Sequence, residues 1–172
     1  GFRIIKDPPK QRAKVRVADT KPGGTVRLGI VADTHLGNRK QQITHLTDFY
    51  RYADSRGVEV FIHAGDLVDG LHVHRDAVYG QFALGFDAQL NYAAEVYPKS
   101  QNGLTYAIEG NHDLWYYGNA GATALHWLSE KREDIVHLGS YEAVLEVGKL
   151  RAMVRHGMKG GAAYALSYKL QK

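Results

Sequence analysis

The sequence contains no cysteine, which excludes disulfides, thiolate metal sites and cysteine nucleophiles. Carboxylate, imidazole and amide groups remain as the possible ligands for a cation, a set that suits manganese, iron or zinc. No apolar run approaches the ~20 residues that cross a bilayer. No secretory signal precedes the folded part, so the expected setting is cytoplasmic with no membrane partner. Internal repeats and low-complexity blocks are also lacking. What is present is ordinary for a globular chain: 172 residues, 44% of them hydrophobic, enough for one domain with a sizeable core.

The net charge of +4 is unevenly placed. Residues 1–27 hold eight Lys and Arg against Asp7 and Asp19, or +6, which leaves −2 for the remainder. Residues 1–25 read as a basic arm, with Pro8, Pro9, Pro22, Gly23 and Gly24 around one short alternating segment, Lys14-Val15-Arg16-Val17. Such an arm can lie along a phosphate backbone or be simply solvated.

The domain is expected to occupy residues 26–172. Residues 26–32 and 58–64 read as buried strands. Between them, Ile43, Leu46, Phe49, Tyr50 and Ala53 recur at helical spacing over residues 40–56, with Gly57 as the stop. A helix is expected over 75–97, ended by Pro98, then a third strand over 104–108 and a helix at about 120–132. Residues 141–147 and 150–155 surround Gly148-Lys149, the pattern of a hairpin with a two-residue turn. The alanine-rich residues 162–172 resemble a helix with no stop signal, so the chain is expected to continue past Lys172.

Four segments place polar side chains just after these strands, where ligands gather in open α/β sheets. Asp33 and His35 stand two apart, so an extended strand end would point both the same way toward one cation. Asp66 follows Gly65, and a carboxylate's two oxygens can bridge two cations. Asn111 offers an amide oxygen, His112 can reach substrate, and Asp113 is available to orient its ring. His156, before Gly157, can complete a second metal. His63, inside an apolar strand, reads as a satisfied interior histidine. Trp115, Tyr116 and Tyr117 read as packing, with base stacking as the alternative.

Together, Asp33-Thr34-His35, Gly65-Asp66-Leu67-Val68-Asp69, Gly110-Asn111-His112-Asp113 and Arg155-His156-Gly157 resemble the calcineurin-like metallophosphoesterase family over about residues 26–157. The resemblance implies an α/β fold, a β-sandwich of mixed sheets flanked by helices, with a pair of divalent metals, manganese first and iron or zinc as alternatives. Asp33 and His35 would hold one metal, Asn111 and His156 the other, and Asp66 would bridge them. His112, supported by Asp113, would act near the leaving oxygen. Two cations ~3.5–4 Å apart would acidify a bridging water for in-line attack on phosphorus.

The family's closing G-H-x-H is absent, which is why the domain reads as truncated; Leu71-His72-Val73-His74 lacks the preceding glycine and strand. Gly65 to Gly70 with Val78-Tyr79-Gly80-Gln81 is similar to the exonuclease subunit of archaeal D-family polymerases, and double-strand-break repair nucleases share the four segments. A phosphodiester of nucleic acid is the implied substrate, with Arg39, Lys40 and Arg75 as candidate phosphate contacts. The alternatives are a phosphatase acting on monoesters, proteins or nucleotides, and an inactive scaffold of the same fold.

Overall fold

The computed structural model describes residues 14–18, 25–71 and 77–157. Four strands, β2 (Leu28–Val31), β3 (Val60–His63), β4 (Leu104–Glu109) and β5 (Ile135–Ser140), form one parallel sheet in the order β2-β3-β4-β5. A second sheet has the order β1-β6-β7, from β1 (Lys14–Ala18), β6 (Glu142–Val147) and β7 (Leu150–Arg155). β1 runs parallel to β6, while β6 and β7 are antiparallel across the turn at Gly148. The mixed α/β sandwich expected from the sequence is the fold.

The edge strand β2 leaves Ile30 63% exposed, so it is not the buried strand expected over 26–32. Strand β3, inside the parallel sheet, is covered on both faces, which is why it reads as an apolar run. One face packs Phe61, Ala107 and Ile135 against Leu46, Tyr50 and Ala53 of α1 (Ile43–Ser55), Leu90 and Ala93 of α2 (Phe86–Val96), and Leu125 and Leu128 of α4 (Ala124–Lys131). The other sends Val60, Ile62, Ile108 and Leu138 into a core with Ala143, Leu145, Val147 and Val154 of the second sheet. In the first core, Tyr50 and Phe61 stack with ring centroids 4.4 Å apart, and the Tyr50 hydroxyl bonds Tyr97 and Thr105.

Three further expectations need correction. The helix over 75–97 is two elements, a 3-10 turn (Ala77–Gly80) and α2, because Gly85 takes φ +90° and interrupts the backbone. The helix near 120–132 begins at Ala124; a separate α3 (Trp115–Ala120) precedes it, closed by Gly121 at φ +69°. Strand β5 has mixed burial and no clean alternation, so periodicity did not reveal it. The alanine-rich segment 162–172 lies outside the described residues.

Leu145 is fully buried between the two sheets. Leu145→Ala is expected to cost about 2–5 kcal/mol in urea unfolding, as lost burial and an unfilled cavity. A loss below about 0.5 kcal/mol would contradict a packed sandwich.

Candidate metal centre

The site is assembled where β2, β3, β4 and β7 end. Beyond β2 and β3 the two loops continue to bond each other: Asp33 N–H donates to the Gly65 carbonyl at 3.0 Å, His35 to Asp66 at 3.1 Å, and Leu36 to Leu67 at 2.8 Å. Asp33, His35 and Asp66 all have positive φ, at 55°, 44° and 57°. Non-glycine residues held there store about 1 kcal/mol or more each, and such strain persists where the surroundings over-determine it. Asp33 and His35 thus converge through a left-handed loop. The alternation of an extended strand, which the sequence reading used, is not the cause.

Asp66 is the hub. It is 3% exposed, and its Oδ1 accepts the His112 backbone N–H at 2.8 Å. Its Oδ2 lies 3.3 Å from His156 Nε2, 3.8 Å from His35 Nε2 and 3.9 Å from His112 Nε2. His35 Nε2 is also 3.8 Å from Asp33 Oδ1, and His156 Nε2 is 3.2 Å from Asn111 Oδ1. Donors around one cation at ~2.0–2.2 Å stand roughly 3 Å or slightly more apart. The spacing is therefore close to what a cation needs.

Each imidazole is fixed by its other nitrogen. His35 Nδ1 meets Asp69 Oδ1 at 3.1 Å, His112 Nδ1 meets the Asp69 carbonyl at 2.7 Å, and His156 Nδ1 meets the Ala64 carbonyl at 2.8 Å. Anchoring Nδ1 to an acceptor sets the tautomer and turns Nε2 of each ring toward Asp66 Oδ2. Among the described residues, two groups could hold a cation, Asp33-His35-Asp66 and His35-Asp69-His112. The donors are those that manganese, iron and zinc accept.

Asp69 gained no role from sequence reasoning, although it is the second acid of Gly65 to Asp69. Besides orienting two histidines, it accepts from Asn38 Nδ2 at 3.1 Å and Gln81 Nε2 at 2.7 Å. Gln81 also donates to the Gly70 carbonyl. An amide 12 residues away gives no sequence signal of this. Asp113 needs correction as well: its carboxylate accepts N–H bonds from Val68 at 2.9 Å, Gly110 at 2.9 Å and Leu67 at 3.3 Å. It thereby ties two strand-end loops together, while the Asp69 carbonyl holds the His112 ring.

The remaining candidates divide. Arg39 is exposed and joins the site only through its backbone N–H, which bonds Gly80. Arg75, His72 and His74 lie outside the described residues. Tyr116 is buried in the helical core beside Trp115, so packing accounts for both. His63 is fully buried, with Nε2 3.1 Å from Thr34 Oγ1 and no partner for Nδ1 among the described residues. It is satisfied at one nitrogen only. Burial drives its pKa down to about 3, so the ring is neutral.

Charge follows from the crowding. Burial alone would lower the pKa of His156, but its bond to Asp66 and that carboxylate's charge raise it to about 9. Burial would raise Asp66, yet the bonds from His156 and the His112 backbone leave it below the usual carboxylate range. Burial and the Asp66 charge push Asp113 up to about 7, against the Val68 and Gly110 amides. Without a cation, a proton on His156 supplies the positive charge that Asp66 requires.

Two outcomes follow. A cation that takes His156 Nε2 as a ligand would displace its proton, and its affinity should then rise as pH rises toward about 9, by up to ~10-fold per unit, with roughly one proton released at pH 7. Calorimetry in buffers of differing ionisation enthalpy measures it; pH-independent affinity would contradict it. A Cβ on Gly110 would sit 2.1 Å from Asp66 Oδ1 and 2.5 Å from its backbone nitrogen. Gly110→Ala should therefore lose metal in equilibrium dialysis, and unchanged uptake would show the hub to be unnecessary.

A family model described as calcineurin-like phosphoesterase matches residues 26–161. None of the curated proteins searched matches the chain. Among solved structures, a novel archaeal phosphodiesterase is similar at 17% identity and a TM-score of 0.44, over 77% of this chain. This chain spans 59% of that one's length. With the family model matching most of its length and the four strand-end segments inside that match, the chain belongs to the calcineurin-like phosphoesterase family.

Proposed function

We propose that this protein hydrolyses phosphoesters with two divalent cations, manganese by preference, and that its substrate is a phosphodiester of nucleic acid. The observation that carries the reading is the convergence of three anchored imidazoles on Asp66 Oδ2. In this reading Asp33, His35 and Asp66 hold one cation, Asn111 and His156 hold the other, and Asp66 lies between them. When bound, the cations supply Lewis-acid charge for the phosphoryl oxygens and acidify water.

The chain supplies the rest. Water oxygen bonds to phosphorus, the ester P–O bond breaks, and the leaving oxygen takes a proton. We assign that last step to His112, in support of which its Nδ1 is held on the Asp69 carbonyl and its Nε2 lies 3.9 Å from Asp66 Oδ2. Asp113 acts through the backbone, holding the Asn111-His112 turn against the loop that carries Asp66. Support for nucleic acid comes from charge, since residues 1–27 alone carry +6, enough to follow a phosphate backbone.

The grouping of His35, Asp69 and His112 favours a second arrangement in which His112 is a ligand. One variant separates them. In our reading His112→Ala keeps two metals by elemental analysis and loses about 10²–10⁴ in turnover; loss of one metal would make His112 a ligand, and full activity would remove it from catalysis. Asp66→Ala should lose both metal and turnover. Rates on single-stranded DNA, a model diester and a model monoester with manganese test the substrate. DNA and diester should lead, with DNA cleavage falling as salt rises. Monoester preference would favour a phosphatase, and no turnover on any would favour a scaffold.

A further inference from the structure

A cavity of about 680 Å³ opens beside the metal centre. Asp33, His35, Asp69 and His112 contribute to its lining, so it is continuous with the cluster described above. Much of the remainder is apolar: Val31 at the end of β2, Leu36 in the loop beyond, and Ile43, Leu46 and Phe49 along one side of α1. Lys40 is the only lysine or arginine lining it among the described residues. The volume is within the range that holds drug-sized ligands. A phosphoryl group alone would leave most of that space as water against apolar side chains.

We infer that this cavity receives the organic group attached to the phosphorus, an aromatic group of nucleoside size. The inference rests on the phosphoesterase reading and adds what the site selects. Two observations support it together. The cavity shares four side chains with the metal cluster, so a group inside it lies next to the phosphorus position. Phe49, Leu46 and Ile43 offer ring and aliphatic surface, which favours a flat ring such as a nucleobase over a phosphorylated peptide side chain, while Asn38 and Gln41 offer polar groups to an attached sugar. Lys40 contributes one positive charge to a lining that also holds the carboxylates of Asp69 and of Asp33, whose side chain is 60% exposed.

The test uses the full chain in two states. On metal-free protein, adenosine, which has no phosphate, is titrated by heteronuclear NMR. The expected result is saturable shifts concentrated in residues 31–49. Ile43→Trp and His45→Trp each place a ring in the space, and His45 is exposed, so folding should not suffer. Both should weaken adenosine by about tenfold or more. On manganese-loaded protein, kcat/KM for bis(4-nitrophenyl) phosphate should exceed that for methyl 4-nitrophenyl phosphate by about tenfold, and either variant should collapse the ratio.

No saturable adenosine binding, or binding unchanged in both variants, would overturn the inference. Hydrolysis with no aryl preference would overturn it while leaving the phosphoesterase reading intact. Adenosine binding weakened by both variants, in a protein without hydrolysis, would uphold the cavity and overturn the phosphoesterase reading.

Discussion

The structure depends on holding one nearly buried carboxylate, Asp66, among groups that answer its charge. A carboxylate taken out of water is costly unless it is paired and hydrogen-bonded. Asp66 has one oxygen on a backbone N–H and the other facing three imidazole nitrogens. Nothing in a single strand or helix could arrange this. The ends of four strands are needed, because each contributes a side chain from a different part of the sequence. The sheet's parallel order brings three of those ends to one edge, and β7 of the second sheet delivers His156.

Around that hub, backbone and side chain share the work of positioning. Gly65 and Gly110 permit approaches that a side chain would block, since a Cβ on Gly65 would lie 2.5 Å from the His156 ring at Nδ1 and one on Gly110 would lie 2.5 Å from the Asp66 backbone nitrogen. Asp113, fully buried, fastens the Gly110 turn to the Leu67-Val68 backbone. Asp69 orients His35 through its carboxylate and His112 through its carbonyl. Thr34 joins His63 to the Leu67 carbonyl behind the site. The positive φ values of Asp33, His35 and Asp66 are the cost of this convergence, offset by the bonds that fix them.

Much of this was legible in the sequence, for particular reasons. The strands before Asp33, Asp66 and Asn111 are apolar runs, and placing ligands after them follows from how α/β sheets are built. The first was expected to be buried, whereas β2 is an edge strand that leaves Ile30 63% exposed. The hairpin was readable because Gly148 sits in a two-residue turn. The break before α2 was not, since Val78, Phe82 and Leu84 keep a helical rhythm although all three are exposed. Asp113 was misassigned for a related reason: adjacency in sequence suggested contact with the His112 ring, while a tight turn aims its carboxylate at backbone amides. Gln81 and Gln89, both buried, donate to the same Gly70 carbonyl, a convergence that only the folded chain displays.

The cavity beside the centre extends the same logic from metal to substrate, because the loop that lends Asp33 and His35 to the cluster also lends Leu36 and Lys40 to the cavity wall. All of it rests on the proposal that Asp66 sits between two cations. The most direct measurement is anomalous X-ray diffraction at the manganese edge from crystals of the full chain equilibrated with manganese. The account predicts two peaks, one beside Asp33 and His35 and the other beside Asn111 and His156, with Asp66 oxygens between them. A single peak, or peaks away from Asp66, would contradict it.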